Sequence, residues 1–478
     1  MATTNGTTPK THPLIINNKP HNTSASFPVH SPATGHLLHH FSSASITDTD
    51  TAIQSSHTAY PAWKRLPPNQ KRDIFLKAAD IMTSRLPELK KAMVEETGAS
   101  PSWADFNLHL APEILRDVAG RISSITGSIP QTSREGVSAL VYKEPYGTIL
   151  AIAPWNAPYI LGVRAIIYPL AAGNTVILKA PEFSPVCSMG IVQALHDAGL
   201  PDGVLNLIAH RPEDAAQVTK YLIESPVIKK VNFTGSTAVG KIIAELAGRN
   251  LKPVLLELGG KAPAIVWEDA DLELAANECV VGAFLHAGQI CMSTEKVIVH
   301  ENVIEKFEEE FKKAVKNFAP EGGEAPVLIN PVGVQKNQKL LKDAVGKGAE
   351  IFHGDHEAGK GAQMMPVIVK GVKKEMDLYY TESFGPTVSM MVVKTEEEAL
   401  DLANDTEYGL SAAIFTKDLG RALRMAREIE SGAVHINGMT VHDETALPHG
   451  GMKASGYGRF GASGLDEWVR TKTVTFKD

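Results

Sequence analysis

The chain has 478 residues, 43% of them apolar and 21% charged, which is too long for one hydrophobic core and points to two or three domains. A formal charge of −7, with lysines and arginines scattered among acids, leaves no basic field for nucleic acid. No apolar run approaches the roughly 20 residues of a membrane helix, and three cysteines are too few for a disulfide framework, which fits a reducing cytoplasm.

Residues 1–10 are polar, lack the apolar core of a signal peptide and read as a loose tail, and Thr475-Phe-Lys-Asp478 is no peroxisomal address. Helical patterns fill most of 48–126, including 69–84, and 138–143 reads as extended. Short β-rich runs follow at 147–153, 174–179, 204–209, 230–234 and 253–258, with helices such as 184–198 and 237–247 between them. Strand-helix alternation builds a parallel sheet with right-handed crossovers. A second alternating set from 263 to 434 predicts two α/β domains with a seam near Gly259-Gly260, where a ligand site is expected.

The strand ends carry the chemistry. Trp155 and Asn156 leave the first, with Pro158 suited to open a helix. Lys179 and Glu182 leave the second. Gly235-Ser236 precedes a helix whose N-terminus could hold phosphate, although the sequence lacks a G-x-G-x-x-G fingerprint behind any strand. Glu257 ends a further strand as either a solvated end or a poised base whose pKa burial would raise. Cys291 is expected at an exposed corner between a helix starting near Asp271 and the strand 296–300, whereas Cys187 and Cys279 lie in apolar helical patterns and read as core. A Cys-His hydrolase built on His286 or His300 lacks the separate His and Asn context it needs. His435, His442 and His449 recur every seven residues among Gly438, Pro448 and Gly450 and read as a loop. Residues 353–357 read as a solvated turn, and neither histidine set is expected to bind metal.

Seven motifs in order then resemble one family, the NAD(P)-dependent aldehyde dehydrogenases, from about Pro28 onward: Pro154-Trp155-Asn156, Lys179-Ala-Pro-Glu182, Phe233-Thr-Gly-Ser236, Glu257-Leu-Gly-Gly-Lys261, Gly288-Gln-Ile-Cys291, Glu382-Ser-Phe-Gly-Pro386 and Gly451-Met-Lys-Ala-Ser-Gly456. The resemblance implies a Rossmann-like α/β cofactor domain (1–126 and 147–258), an α/β catalytic domain (259–461) and an oligomerisation arm (127–146 and 462–478) in a homodimer or homotetramer. It makes Cys291 the nucleophile, Glu257 the general base and Asn156 an oxyanion donor. Lys179 and Glu182 would hold the adenosine ribose, Trp155, Gly235 and Ser236 the pyrophosphate, Glu382 the nicotinamide ribose, and Phe384 would lie beside the ring.

Departures narrow the resemblance. His210 and Arg211 stand where many relatives have glycine and proline, so NAD is expected but Arg211 could receive the 2′-phosphate of NADP. Phe460 replaces a common Glu, and with residues 154–165 it resembles the branch that oxidises aromatic aldehydes such as salicylaldehyde and vanillin. Ala157, Leu161 and Arg164 fall on one stripe toward the expected small-molecule aldehyde. Ala157 leaves room for a flat ring, and Arg164 either meets substrate or forms an ion pair with the catalytic domain. A short-chain aldehyde or semialdehyde enzyme and a non-catalytic NAD-holding scaffold are the alternatives. A third, acyl transfer to coenzyme A, is disfavoured by an intact Glu257.

Overall fold

The β-runs after residue 146 are apolar on both faces, a pattern satisfied only when helices cover both sides of a sheet. In the computed structural model, which describes residues 10–320, 322–357, 359–461 and 464–477, five of them pair in parallel in the order Val254–Glu257, Ile228–Thr234, Thr148–Ile152, Thr175–Lys179, Leu205–Ile208. The expected N-terminal tail at 1–9 lies outside the described residues. The register aligns the carboxyl ends, with Ile152 opposite both Lys179 and Phe233, and Thr234 opposite Glu257. The chain fills one side of Thr148–Ile152 and then returns to the other, so the order reverses between that strand and Ile228–Thr234. Such a reversal opens a crevice at the strand ends.

A second mixed sheet runs Glu350–His353, Val367–Lys370, Thr387–Val393, Thr294–His300, Ala262–Val266, Ser411–Phe415, Ala433–Ile436, parallel except at its first pair. The chain passes between sheets through Leu258-Gly259-Gly260-Lys261. The division by sequence is not a clean division by sheet, because Gly456–Tyr457, inside the range expected for the second domain, pairs antiparallel with Val254–Glu257 of the first. Val137–Pro145 pairs along its length with Val469–Lys477 as a two-stranded ribbon. Among the described residues no helix is long and apolar enough to cross a membrane.

Two features position the site. The helix Pro158–Ala171 opens on a proline and is buried at every residue, as a helix apolar on all sides must be. The second is a clamp at the seam. Lys261 Nζ lies 2.6 Å from Glu295 Oε2 and donates to the Thr381 carbonyl at 2.9 Å, while Glu295 Oε1 accepts from Ser383 N and Oγ at 2.7 and 2.8 Å and from Phe384 N at 3.3 Å. One buried carboxylate thus fixes the starts of Ala262–Val266 and Thr294–His300 and the segment 381–384.

Removing one partner of a buried ion pair leaves the other charge uncompensated, so Glu295→Ala is expected to cost about 3–5 kcal/mol in urea unfolding. Lys261→Met combined with Glu295→Gln removes the orphan charge and keeps an acceptor for Ser383. It should lose less than Glu295→Ala alone, and an equal or greater loss would show that the ionic clamp is not the source.

Candidate active site

Cys291 follows a backbone reversal. The helix Leu272–Phe284, capped by Asp271, ends in three left-handed residues, His286 (φ 49°), Ala287 (φ 57°) and Gly288 (φ 71°), before the strand Thr294–His300 begins. Two non-glycine residues in that region store strain, which the surroundings must hold. Gly288 is obligatory, since a Cβ there would lie 2.1 Å from the Gly385 carbonyl oxygen. A Cβ at Gly260 would come equally close to the carbonyl oxygen of Cys291. The helix-to-strand corner is as expected, but its exposure is not: the residue is half-buried, because Trp103, the helix Pro158–Ala171 and the segment 441–449 close around it.

Asn156 sits just before the helix Pro158–Ala171. Its side-chain amide donates to the Gln289 carbonyl at 2.9 Å, and its own carbonyl accepts from Trp103 Nε1 at 3.0 Å. One amide N–H is therefore spent on the cysteine loop and the second remains for a ligand. Glu257, 1% exposed at the end of its strand, accepts through Oε1 from His449 Nε2, and its Oε2 has no partner. Cys291, Glu257, Asn156, Ala157, Leu161 and Arg164 all line one cavity, closed by Trp103, Phe106, Val441, Asp443 and His449. The substrate stripe expected on the helix therefore meets the three expected catalytic residues in one space. That space holds about 30 Å³. Water fits there, but a ring requires side chains to move. Phe106, 40% exposed and stacked 5.4 Å from Trp103, is the most accessible of these walls.

Charge is distributed asymmetrically. Arg164, buried in its helix, places Nη2 2.6 Å from both carboxylate oxygens of Asp443, so the ion-pair reading holds, while its Nη1 is buried without a partner beside the cavity. Burial works against the Arg164 guanidinium, but Asp443 and Glu257 hold it charged. The Phe460 ring lies 5.6 Å from that guanidinium. Burial also pushes the Glu257 carboxyl up, yet His449 and Arg164 more than offset it and the group sits below the ordinary value, which corrects the expectation of a raised pKa. The Cys291 thiol goes the other way, far up, through burial and then the charges of Glu257 and Glu382. Cys187 and Cys279 are fully buried thiols pushed up by burial.

The residues expected to hold cofactor lie along the aligned strand ends. Trp155 meets Phe384 edge-on at 5.9 Å and Phe183 at 6.2 Å, and Phe384 itself has a left-handed φ of 46°. Glu382 accepts from Gly260 N–H at 2.8 Å, and burial pushes its carboxyl up to about 7. Ser236 caps the helix Thr237–Arg249 with its first turn facing outward, next to Gly235. Lys179 and Glu182 approach to 3.8 Å. Arg211 is taken up by Asp214 at 2.8 Å and Glu213 at 3.4 Å. A larger cleft of about 880 Å³ opens beside Glu182 and Arg211.

Sequence reasoning missed His449 and Asp443. His435, His442 and His449 were expected in one loop, whereas His435 lies in the strand Ala433–Ile436, whose pairing with Ser411–Phe415 overrides the loop signals of Gly438, Pro448 and Gly450 further on. The only signal for His449 was its place two residues before the Gly451-Met-Lys motif. Among the described residues no group of three or more His, Cys, Asp or Glu is arranged to hold a metal ion.

The comparisons with known proteins agree with this geometry. The model of the aldehyde dehydrogenase family matches residues 19–474. The chain is 44% identical over 474 residues to a vanillin dehydrogenase of Pseudomonas fluorescens, covering 98% of each, and 40% identical over 455 residues to a salicylaldehyde dehydrogenase of Pseudomonas putida, covering 93% of each. The crystal structure of a salicylaldehyde dehydrogenase from Pseudomonas putida G7 complexed with salicylaldehyde superposes with a TM-score of 0.95 at 38% identity, covering 98% of both chains. With the family model spanning nearly the whole length and relatives above 40% identity end to end, the chain belongs to the aldehyde dehydrogenase family.

Proposed function

We propose that the protein oxidises aromatic aldehydes to carboxylic acids with NAD(P)⁺. The observation that carries this reading is the single cavity joining Cys291, the free Oε2 of Glu257, Asn156 and the Ala157-Leu161-Arg164 stripe. The names of the vanillin and salicylaldehyde relatives support the aromatic class. An aldehyde carbon can lose only hydride, and only after it has become tetrahedral. Cys291 adds to the carbonyl, and its proton must leave, since the thiol is held neutral by burial. The second Asn156 amide N–H and the Cys291 backbone N–H receive the oxyanion, each such donor contributing about 3 kcal/mol. The nicotinamide supplies the hydride acceptor. The resulting Cys291 thioester is opened by water, whose proton goes to Glu257 Oε2.

The residues present fit the dinucleotide. An outward-facing helix start at Ser236 with Gly235 suits pyrophosphate, Trp155 flanks it, and the Lys179-Glu182 pair suits ribose hydroxyls. Glu382 and Phe384 suit the nicotinamide end. NAD is favoured over NADP, because Glu182 repels a 2′-phosphate and Arg211 is already neutralised by Asp214 and Glu213. The first sheet then serves as cofactor domain and the second as catalytic domain. The ribbon of Val137–Pro145 and Val469–Lys477 leaves long open edges, which supports burial against a second copy in a dimer or tetramer.

Cys291→Ala should produce no NADH from any aldehyde, whereas Glu257→Gln should accumulate an acyl adduct on Cys291, seen by mass spectrometry of intact protein. Unimpaired turnover without adduct in the Gln variant would remove Glu257 as the base. Across a substrate panel read by NADH absorbance, hydroxylated benzaldehydes should exceed acetaldehyde in kcat/KM by at least roughly tenfold, or about 1.4 kcal/mol. Equal efficiency on short aliphatic aldehydes would overturn the aromatic reading alone. Glu382 is neutral below about pH 7 and a carboxylate above it, and charge-assisted acceptance of ribose hydroxyls is the stronger form. NAD⁺ affinity, measured by calorimetry, should therefore rise from pH 6 to 8 and level off, and Glu382→Gln should flatten the profile.

A further inference from the structure

Each turnover of the proposed reaction, RCHO + NAD⁺ + H₂O giving RCOO⁻ + NADH + 2 H⁺, releases two protons. One comes from the Cys291 thiol as sulfur bonds to carbon, and one is of the two carried by the water that opens the thioester, the other returning to the Cys291 sulfur as it leaves. Both are released beside Glu257, which is 1% exposed, and the base must be emptied before it can act again. One neighbour offers a way out. The His449 ring donates to Glu257 Oε1 while Oε2 stays free, and the same ring lines a second cavity of about 50 Å³ behind the first, shared with His435, His442 and Asp443. That volume exceeds the roughly 10–15 Å³ a water needs, and His435, His442, Asp443 and His449 on its wall offer the polar partners a water requires. His435 Nε2 is buried there without a partner, as a water-binding nitrogen would be. At the far end His442, its side chain 41% exposed, pairs with the surface carboxylate of Glu444 at 2.9 Å.

Resting on the reading of Glu257 as base, we propose that His449 and the water cavity behind it carry the protons collected by Glu257 out to His442 and solvent. At rest the ring carries its proton on Nε2, and when Glu257 takes up a proton the ring exchanges through the cavity water to its Nδ1–H tautomer. Glu257 Oε1–H then donates to Nε2, the O–H bond breaks as that proton passes to Nε2, and the Nδ1 proton leaves to water. No oxidant or further reactant is involved. The groups facing His449 suit a transient imidazolium, since the Glu257 and Asp443 carboxylates lie near it and Arg164 is spent on Asp443. Burial lowers the His435 pKa to about 4, so that ring orients water and does not trap the charge. On the other flank of Arg164, Phe460 has no atom that carries protons.

His449 is on this account a positioning residue that acts through Glu257. The test is His449→Ala in dilute buffer, with the first turnover followed by stopped flow and the steady state by NADH absorbance. Expected are a first-turnover NADH amplitude equal to that of the parent, since Glu257 can hold one proton, a steady-state kcat lower by at least about tenfold, and recovery of kcat on adding imidazole. An unchanged kcat, or a loss that imidazole does not reverse, overturns the exit. Should that variant fail to fold, His442→Gln at the exposed end gives the same decision, namely a lower kcat in dilute buffer restored by imidazole. Failure of the underlying reading looks different, because Glu257→Gln would then turn over normally whatever happens at His449.

Discussion

The carboxylate of Glu295 is the constraint on which the site depends. It collects Lys261 Nζ, Ser383 N, Ser383 Oγ and Phe384 N, and so ties its own segment to two others far apart in sequence. Each segment also carries a residue of the site at short range, Glu257 four residues before Lys261, Cys291 four before Glu295, and Glu382 one before Ser383. A buried ion pair rarely stabilises a fold more than a well-packed apolar pair would. Its value here is register, since a slip of one residue at any of the three segments would move a reacting group by about 3.3 Å. Gly288 and Gly260 express the same closeness, as backbones there approach too tightly to admit a Cβ.

Burial acts in opposite directions on the two groups that matter most. It leaves Cys291 as a neutral thiol, because the nearby carboxylates add to its effect, and it fails to neutralise Glu257, because His449 and Arg164 outweigh it. The protein alone thus holds a protonated sulfur beside an ionised carboxylate. Two unit charges about 4 Å apart interact by about 4 kcal/mol at the effective dielectric of a protein interior, roughly three pKa units. A single partner on either side is therefore enough to decide the protonation state. Arg164 could have served the sulfur, but its charge is committed to Asp443.

Much of this was legible in the sequence, and the misses have a common cause. Strand ends and helix starts follow from apolar runs broken by glycine and proline, so the two largely parallel sheets come out of local pattern, though not their strand order, and the meeting of Cys291, Glu257 and Asn156 follows once seven motifs are taken together. The environment of each residue does not. His449 is 192 residues from Glu257 and Asp443 is 279 from Arg164, and no periodicity links them. The burial of Glu257 is therefore left open by the sequence, and the upward shift expected to follow from burial has the wrong sign. The exposure of Cys291 was misjudged for the same reason, because the cover over that corner comes from helices and a loop far away in sequence. The seven-residue spacing of the three histidines gives no warning that a strand takes the first and that the last lines the cavity of Cys291 and Glu257.

The aromatic preference proposed here also rests on a through-space pair. A helix buried on every side can carry an arginine only if a partner meets it, and Asp443 comes from the long segment after Ala433–Ile436. Two of the elements that line the cavity, the start of the helix with Ala157 and Leu161 and the segment carrying Val441, are joined by the Arg164-Asp443 pair. Ala157 sets the width on one wall by having almost no side chain, and the stacked Trp103 and Phe106 rings offer a flat opposing surface. The shape of the cavity is in that sense held by an ion pair that crosses between elements. The same pair leaves Arg164 Nη1 as the one charged donor at the cavity still seeking an oxygen, among the described residues.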